Sequence, residues 1–251
     1  MAGLPLDLPA RSAKPREQGI THVLDKGLSI AEVDGLVEVA GDSVDIVKLG
    51  WGTAVATGNL EPKLERYRHH GIPVVLGGTL TEIVIQQDKV DDLVAWLDRL
   101  DIRHVEVSDG TIALEPERKR ELIATLAERF TVLSEVGSKD ATEIMAPYRW
   151  VEQIQAELDA GAWKVICEAR ESGTAGIARL DGELRTGLID EIAHAIDHGK
   201  LIFEAPQKDQ QVHFLKHFGA DVNLGNIAPA DVLPLETMRL GLRSDTMDQT
   251  R

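Results

Sequence analysis

Eight short runs of apolar and β-branched residues recur along the chain, each followed by a polar tip and an amphipathic segment. Runs of this kind are typical of strands buried on both faces, as in a parallel sheet. Their regular alternation with amphipathic segments predicts an α/β fold. The strand candidates are Ile20–Leu24, Val44–Leu49, Ile72–Leu76, Arg103–Val107, Phe130–Leu133, Trp163–Cys167, Leu201–Phe203 and Asp221–Leu224.

The segments between these runs have the spacing of amphipathic helices. Val90, Val94 and Leu97 recur at three- and four-residue intervals and share one helical face, with acids on the other faces. The segments 144–158 and 184–196 repeat this spacing. Glycines just before the next strand indicate where helices end, at His70-Gly71, Ala160-Gly161, His198-Gly199 and Phe218-Gly219.

Eight strand–helix units in one uninterrupted chain match a closed barrel, and an open doubly wound sheet is the main alternative. A doubly wound sheet favours a glycine-rich phosphate turn after its first strand, whereas this chain has Asp25-Lys26-Gly27-Leu28 there. Barrels of about 250 residues commonly form one domain. We therefore predict a single (β/α)8 TIM-type barrel over residues 1–251, with loose ends at 1–14 and 247–251.

The composition limits the compartment and the partners. The formal net charge of −15, without a basic stripe, predicts no binding to nucleic acid or anionic lipid. No apolar run has the length of a membrane span or a signal peptide, so we expect a cytoplasmic protein without membrane association. Cys167 is the only cysteine, which excludes an internal disulfide and fits a reducing compartment. Because the overall field repels anions, an anionic substrate needs local cations.

Charged side chains concentrate where the predicted strands end. In a barrel the catalytic groups come from these carboxyl-terminal ends, and charge within an apolar run is costly unless it is paired, liganded or hydrated. A salt bridge or cap explains any one tip equally well, but a ring of such tips favours a functional site. The candidate cations for an oxyanion are Lys26, Lys48, Lys139, Arg170 and Lys208, and the candidate metal-binding acids are Asp25, Glu106, Glu135, Glu168 and Glu204.

The remaining candidate residues favour an anion site with a hard cation over a zinc site. The chain has no H-E-x-x-H or C-x-x-C motif, so Mg²⁺ is favoured over zinc. We interpret Cys167 as a core residue and the histidines at 69, 70, 194 and 198 as surface residues. Backbone N–H groups at glycine turns can hold phosphate, and the candidate turns are Gly77-Gly78, Gly173 and Gly225, the last between Asn223 and Asn226.

Taken together, the polar tips resemble the phosphosulfolactate synthase family, which also includes plant heat-stress-associated homologues. The matching stretches follow one another over nearly the whole chain, although Thr81 stands where the family pattern often has an aromatic residue. The stretches are KPREQGITHVLDKGL at Lys14–Leu28, DIVKLGWGT at Asp45–Thr53, GGTLTE at Gly77–Glu82, EVSDG at Glu106–Gly110, EVGSKD at Glu135–Asp140, EARESGTAGI at Glu168–Ile177, FEAPQKDQQ at Phe203–Gln211, VNLGNI at Val222–Ile227 and LETMRLGLRSDT at Leu235–Thr246.

This resemblance implies a Mg²⁺-dependent lyase that forms a C–S bond by adding sulfite to phosphoenolpyruvate. The implied product is (2R)-2-O-phospho-3-sulfolactate, an early intermediate of coenzyme M biosynthesis in the organisms that make it. Sulfite is itself the nucleophile, and its attack at C3 leaves an enediolate that a divalent cation can stabilise. Lys139 is the candidate general acid that protonates C2, with Glu135 and Glu106 as further catalytic candidates.

The resemblance and the charge pattern together assign the other site residues. A subset of Asp25, Glu106, Glu135 and Glu168 is expected to bind the metal, and the rest of these acids are expected to orient the lysines. The residues expected to bind substrate or its anionic groups are Lys26, Lys48, Arg170, Gly173, Lys208, Asn223 and Asn226.

Other interpretations of the same residues stay open. In a Schiff-base aldolase on this barrel, Lys139 is a covalent nucleophile whose pKa is lowered by neighbouring cations. A non-enzymatic, stress-related homologue is a second alternative, and in a purely structural role Lys139 pairs with Asp140 or Glu143 on an exposed helix start. We also expect a homo-oligomer, and the residues that belong either to its interface or to the core are Trp150, Trp163 and Leu235–Leu242.

Overall fold

Eight parallel strands close into a barrel in chain order, as the sequence predicts. The computed structural model describes residues 6–139 and 144–247. The strands are β1 (Thr21–Asp25), β2 (Ile46–Leu49), β3 (Val74–Leu76), β4 (His104–Val107), β5 (Thr131–Val136), β6 (Lys164–Cys167), β7 (Leu201–Glu204) and β8 (Leu224–Ile227). Each strand pairs with the next in parallel, and β8 pairs with β1. The single (β/α)8 barrel is therefore confirmed over the described residues.

At least one helix follows each strand and packs on the outside of the barrel. None of the helices in the two described ranges is long and apolar enough to cross a membrane. The helices are α1 (Ile30–Ala40), α2 (Thr53–Ala56), α3 (Leu60–His69), α4 (Gly78–Gln86), α5 (Val90–Arg99), α6 (Pro116–Ala127), α7 (Pro147–Asp159), α8 (Thr186–Ala195), α9 (Lys208–Phe218) and α10 (Val232–Arg239). Short 3₁₀ turns lie at Gly41–Ser43, His198–Lys200 and Pro229–Asp231.

The eighth strand begins later than the sequence predicts, and this difference moves a site residue. The predicted run Asp221–Leu224 follows apolar residues and stops before a glycine, whereas the paired strand is Leu224–Ile227. Leu224 aligns with Phe203 of β7, and Gly225 continues the pairing. The predicted range was wrong because it followed side-chain apolarity, whereas the backbone pairing that defines the strand continues past Gly225. Asn223 therefore precedes β8, at the amino-terminal end of the barrel.

Alternation along the strands places a charged layer above an aliphatic one inside the barrel. Successive strand residues face opposite sides, so residues two positions apart share a face. Ile46 and Leu133 belong to a small apolar cluster that is separate from the main core, and two positions further on stand the buried Lys48 and Glu135. The same step leads from Ile166 to Glu168 and from Ile202 to Glu204. The strand period alone thus directs a ring of ionisable groups toward the carboxyl-terminal mouth.

The main core lies between the strands and the surrounding helices, and it contains Trp150 and, from the candidate segment Leu235–Leu242, Leu235 and Met238. Trp150 is 1% exposed and packs in this core, so its role is in the fold. Trp163 is half-buried and contacts the aliphatic cluster inside the barrel.

The predicted apolar face of the segment 144–158 is wrong at its start, because Ile144 and Tyr148 are exposed and α7 begins only at Pro147.

Part of the segment that the sequence predicts to be loose is tied to the barrel. Arg11 pairs with Asp221 and Glu236, each at 3.0 Å. The Lys14 Nζ donates to the carbonyl oxygens of Gly41 and Val44, at 3.0 and 2.6 Å. Within the described residues, the prediction of a loose start therefore does not hold from Arg11 onward.

Candidate active site

A cavity of about 230 Å³ opens at the carboxyl-terminal ends of the strands. Residues from the ends of several strands and from the loops after them meet there, as expected for a barrel enzyme. Its charged lining residues are Lys48, Glu106, Glu135, Lys139, Glu168, Arg170, Glu171 and Glu204, and Trp51, Thr79, Thr111 and Asn226 also contribute to the wall. The structure thus brings together eight of the charged and polar residues that the sequence assigns to the site, together with the glycine turn Gly77-Gly78: Lys48, Glu106, Glu135, Lys139, Glu168, Arg170, Glu204 and Asn226.

Lys48 reaches into the barrel from β2 and is surrounded by carboxylates. Its Nζ lies 3.2 Å from Glu204 Oε1, 3.3 Å from Glu106 Oε2 and 3.9 Å from Glu135 Oε2. Burial disfavours the charged amine, but these carboxylates outweigh burial and raise the pKa of Lys48 above its ordinary value. Lys48 is therefore protonated, and the acids share its charge.

Lys139, on the loop after β5, brings a second ammonium group to the same cavity. Its Nζ lies 3.0 Å from Glu82 Oε1, 3.2 Å from Glu135 Oε1 and 3.9 Å from Glu168 Oε2. Burial lowers the pKa of Lys139, but the three carboxylates outweigh this effect and the net pKa is raised. The side chain keeps 18% of its exposure, so the ammonium group remains accessible from the cavity.

Glu135 and Glu168 share a proton across neighbouring strands. The two buried carboxyl groups are hydrogen-bonded to each other, which requires a proton on one of them, and Glu135 Oε1 also pairs with Lys139 at 3.2 Å. Burial and the charge of Glu135 raise the pKa of Glu168 well above its ordinary value. Burial also opposes ionisation of Glu135, but Lys139, the hydrogen bond from Glu168 and Lys48 together lower its pKa to about 2. Glu168 therefore carries the proton.

Glu106, at the end of β4, is fixed by a backbone donor. Gly78, at the start of α4, donates its N–H to Glu106 Oε1 at 2.5 Å. A Cβ at Gly78 would lie 2.9 Å from that same oxygen, so the close approach requires glycine. Burial raises the pKa of Glu106 to about 7 despite the opposing charge of Lys48. The Gly78 N–H that the sequence offers to a phosphate is thus already bonded to a carboxylate.

Three buried oxygens around the cavity are incompletely bonded. Asn226 Oδ1 has no hydrogen-bond donor among the described residues, Glu106 Oε2 has the Lys48 ammonium group 3.3 Å away, and Glu168 Oε2 faces Lys139 at 3.9 Å. Mg²⁺ prefers oxygen ligands and is commonly held through one or two carboxylates together with water and substrate oxygens. Among the described residues, no group of three or more His, Cys, Asp or Glu forms a complete metal site. These oxygens are of the type that suits a hard cation, but the described residues do not form a closed metal cage.

Arg170 lies at the exposed mouth of the cavity, on the loop after β6. Its φ of 65° lies in the left-handed region that non-glycine residues rarely adopt. In this conformation its backbone N–H donates to Glu168 Oε1 at 2.5 Å, and its Nη1 donates to the Lys139 carbonyl oxygen at 3.2 Å. Arg170 thus fixes two other site residues and is itself part of the cavity lining.

Asp25 has a structural role, which corrects its assignment to the metal site. Its Oδ1 accepts from the backbone N–H groups of Gly27 and Leu28, at 2.8 and 2.7 Å. Its Oδ2 accepts from the Tyr67 hydroxyl at 2.8 Å and pairs with Lys63 at 2.6 Å. All its acceptor capacity is used by the chain, and it lies outside the cavity lining.

Four other predicted anion-binding residues also lie outside the cavity lining. Lys26 is exposed, with its Nζ 5.9 Å from the centre of the Trp51 ring. Lys208 pairs with Asp245 at 2.8 Å on the surface. The remaining two, Gly173 and Asn223, use their polar groups within the chain. The Gly173 N–H donates to the Arg170 carbonyl oxygen, and Asn223 forms its hydrogen bonds at the opposite end of the barrel.

The structural interpretation of Lys139 names Asp140 and Glu143 as its partners, and both lie outside the described residues.

Glu82 is a site residue that the sequence analysis misses. It comes from α4, not from a strand tip, and it is 1% exposed while it contacts Lys139. Its sequence signals are weak: it ends the matching stretch GGTLTE and is the one charged residue of the helix GTLTEIVIQ. Reading strand tips alone cannot find a residue that reaches the site from behind the wall.

The fold and this arrangement define a (β/α)8-barrel protein with a lysine–carboxylate site at its carboxyl-terminal mouth. The family described as (2R)-phospho-3-sulfolactate synthase (ComA) matches residues 9–245, and the chain belongs to this family. It is 42% identical over 244 residues to phosphosulfolactate synthase of Bacillus subtilis (strain 168), covering 96% of this chain and 97% of that protein. Phosphosulfolactate synthase of Methanothermobacter thermautotrophicus is also 42% identical over 245 residues, covering 95% of each.

Solved structures of low sequence identity share the fold alone. The YdjI aldolase from Escherichia coli K12 superposes with a TM-score of 0.56 at 11% identity, covering 84% of this chain and 75% of that one. At this identity the likeness carries no information about the reaction, so it gives the Schiff-base aldolase alternative no support.

Proposed function

We propose that this chain adds sulfite to phosphoenolpyruvate to give (2R)-2-O-phospho-3-sulfolactate, with Lys139 as the proton donor. The observation that carries the proposal is the placement of the Lys139 ammonium group in one cavity with Lys48 and Arg170, in a chain of this family. Both proposed substrates are anions, and these cations stand where the overall charge of −15 would otherwise repel them.

The positive groups divide between the mouth and the floor of the cavity. Arg170 is exposed at the mouth, and its planar guanidinium suits two oxygens of a phosphate or carboxylate. Lys48 lies on the floor, where an arriving anion would compete with Glu106 and Glu204 for its ammonium group. Arg170 is therefore proposed to capture the anion and Lys48 to orient it.

In the proposed reaction the sulfite sulfur forms a bond to C3 of phosphoenolpyruvate. The π electrons of the C2–C3 bond move toward C2 and the carboxylate, and Lys139 then delivers a proton to C2. Charge that develops during the reaction is best stabilised by groups that are already in position. Lys139 Nζ meets this condition, because three carboxylates fix it before substrate binds.

The protonation state of Lys139 favours an acid over a covalent nucleophile. A Schiff base requires a neutral amine, which enzymes obtain by lowering the lysine pKa through burial or nearby cations. Here the neighbours are carboxylates, and they raise the pKa of Lys139. An ammonium group is a competent proton donor and a poor nucleophile, so the aldolase alternative is disfavoured.

Mg²⁺ is the proposed cofactor, held by Glu106 and by Glu168, whose proton an incoming cation would displace. When bound, the ion would supply Lewis-acid stabilisation of negative charge on the substrate carboxylate. Asn226 Oδ1, buried and without a donor among the described residues, is the third candidate oxygen at this site. Glu135 is proposed to hold Lys139 and Lys48 instead, because it lies within 4 Å of both ammonium groups.

The decisive test is incubation of the purified protein with phosphoenolpyruvate, sulfite and Mg²⁺, followed by mass analysis. We expect a product with the combined mass of phosphoenolpyruvate and bisulfite, absent when either substrate is omitted. Removal of divalent cations with EDTA followed by desalting should abolish turnover, and added Mg²⁺ should restore it. Absence of the adduct would reject the proposed reaction, and full turnover after exhaustive chelation would reject the cofactor.

A further inference from the structure

The ammonium group of Lys139 is held from behind the cavity wall as well as from within it. Of its three carboxylate neighbours in the described residues, Glu82 is the nearest, at 3.0 Å, and it comes from helix α4. Glu135 and Glu168 line the cavity, whereas Glu82 does not. Substrate in the cavity therefore meets Lys139 on one side while Glu82 holds it on the other.

The Glu82 carboxylate is fully bonded by the loop that follows β4. Its Oε1 accepts from the Ser108 hydroxyl, and its Oε2 accepts from the Thr111 hydroxyl and, at 3.0 Å, from the Thr111 backbone N–H. Carboxylates of the strand ring are less fully bonded: Glu106 Oε2, for example, has only its ion pair with Lys48. A carboxylate with all its bonds made is a fixed point, suited to holding an ammonium group in place.

The same loop also guides the stem of Lys139. Gly110 lies directly under that stem: a Cβ at Gly110 would be 3.0 Å from Lys139 Cγ, 3.1 Å from Cδ and 3.2 Å from Cε. The Lys139 backbone N–H also donates to the Gly110 carbonyl oxygen at 3.4 Å. The loop of residues 108–111 thus contacts Lys139 twice, through the stem directly and through Glu82 at the head.

We propose that Glu82 is a positioning residue that, supported by the loop of residues 108–111, holds the Lys139 ammonium group at one face of the substrate carbon to be protonated. This inference rests on the proposed function, in which Lys139 delivers that proton. Glu82 touches neither substrate nor reacting atoms, so it acts only through the lysine. Its effect belongs to the proton-transfer step and not to substrate binding.

This role predicts a specific kinetic pattern. Displacing a reacting group by about an ångström can cost roughly 10²-fold in rate. Glu82→Gln keeps the size of the side chain but replaces one acceptor oxygen with a donor that faces the ammonium group or the two hydroxyls. We expect kcat to fall by about 10- to 100-fold, with the KM for phosphoenolpyruvate within about threefold of the wild-type value.

A double-mutant cycle with Lys139 separates positioning from a structural role. If Glu82 acts through Lys139, then Glu82→Gln should cause no further loss of kcat in a Lys139→Met background. Residual turnover can be measured by mass detection of the adduct. Equal losses in both backgrounds, or a Glu82→Gln protein with near wild-type kcat, would overturn the positioning role while leaving Lys139 as the acid. Wild-type kcat in Lys139→Met alone would overturn both roles.

Two further variants guard against a folding defect. Glu236→Gln is the matched control, because Glu236 is a half-buried glutamate of helix α10 that pairs with Arg11 at 3.0 Å and lies outside the cavity lining. It should lower the unfolding temperature, and its effect on kcat should be the same with and without Lys139→Met.

Thr111→Val tests the positioning role if Glu82→Gln does not fold. It removes one hydroxyl donor to Glu82 from an exposed loop position. Its expected loss of kcat, about threefold, should vanish in the Lys139→Met background; a loss that persists there overturns the proposal.

Discussion

The two ends of the barrel both bury charged and polar side chains, but they use them differently. At the amino-terminal end, the buried Arg239 guanidinium donates to the carbonyl oxygens of Ala220, Val222 and Ile20. At the carboxyl-terminal end, ammonium groups face side-chain carboxylates in a cavity instead of backbone carbonyl oxygens. Buried charge is common to both ends, so it does not by itself identify the functional one.

The partners of the buried groups distinguish the ends. Lys164, near the start of β6, donates to the carbonyl oxygens of Glu17 and Gly199 at 2.8 and 2.6 Å, and burial lowers its pKa to about 8. Lys48 and Lys139 instead have ionised partners, and their pKa values are raised. Hydrogen bonds to backbone carbonyl oxygens connect one part of the chain to another. Side-chain carboxylates, by contrast, can exchange their partners for a substrate.

The largest expected effect is at Lys139 and tests whether the cavity end performs chemistry. Lys139→Met nearly preserves volume and removes the proton donor, so we expect kcat to fall by roughly 10²–10⁴-fold while phosphoenolpyruvate still binds. Steady-state assays and isothermal titration measure the two quantities. Lys208→Met is the control, because the sequence assigns Lys208 to the site while the structure pairs it with Asp245 on the surface. A Lys139→Met enzyme with wild-type kcat would move the proton donor elsewhere.

Two asparagines, Asn223 just before β8 and Asn226 within it, allow a direct comparison of the two ends of the barrel. Asn223 Oδ1 accepts from the Ile20 N–H, and its Nδ2 donates to the carbonyl oxygens of Gly199 and Leu201. Asn223→Ala leaves these buried groups unpaired and should lower the free energy of unfolding by about 2–4 kcal/mol without changing the kcat of the folded protein. Urea denaturation and activity assays check both outcomes.

Asn226→Gly should show the opposite pattern, with lower activity and little loss of stability. Asn226 lines the cavity with an oxygen that has no donor, and glycine accepts its φ of 56°. We expect kcat/KM to fall by about tenfold, which corresponds to about 1.4 kcal/mol of lost transition-state binding. If the two variants showed the same pattern, the distinction between the ends of the barrel would be wrong.

The barrel was predictable from the sequence because its signal is periodic. Alternating runs specify the strands, and a period of two places Glu135 and Glu168 above aliphatic residues without further information. The prediction of site residues from the strand ends failed at Asp25 and Asn223. A polar residue beside a strand looks the same in the sequence whether it binds a substrate or another part of the chain. Partner identity depends on distant residues, such as Lys63 for Asp25, and no local pattern contains it.

Glu82 shows the complementary limit. A helix that contributes one residue through the barrel wall adds no charge to any strand tip, and its acid alone resembles a solvated surface residue. What makes Glu82 part of the site is its contact with Ser108, Thr111 and Lys139, residues 26 or more positions away in the chain. Such long-range contacts are a property of the closed barrel and not of the segment.

The interior between the two ends contains a histidine that makes stability depend on pH. Neither ring nitrogen of the buried His22 has a hydrogen-bond partner among the described residues. Burial and the charge of Lys48 lower its pKa well below the ordinary 6.5. Because the folded-state pKa is the lower one, the contribution of His22 to stability is complete above about pH 6.5 and is lost as the pH falls.

His22→Leu should therefore reduce the loss of stability in acid. Between about pH 7.5 and pH 5.5, protonation of His22 in the unfolded chain alone costs about 1.4 kcal/mol, and the variant should lack this part of the decline. Denaturant titrations at the two pH values measure the difference, with His69→Gln as an exposed control. Identical pH dependence in His22→Leu and wild type would show that the imidazole is hydrated or paired in solution.

The smallest expected effect is at the rim of the cavity end. Arg170→Lys preserves charge but removes the planar fork that can hold two anion oxygens, and it removes the Nη1 bond to the Lys139 carbonyl oxygen. Because Arg170 is exposed, solvent screens its charge, and we expect the KM for phosphoenolpyruvate to rise by only about fivefold with kcat nearly unchanged. Lys26→Arg, at an exposed position outside the cavity lining, should leave KM unchanged. A fall in kcat without a change in KM would instead show that Arg170 holds Lys139 in place. Unchanged values of both KM and kcat would show that Arg170 takes no part in substrate binding.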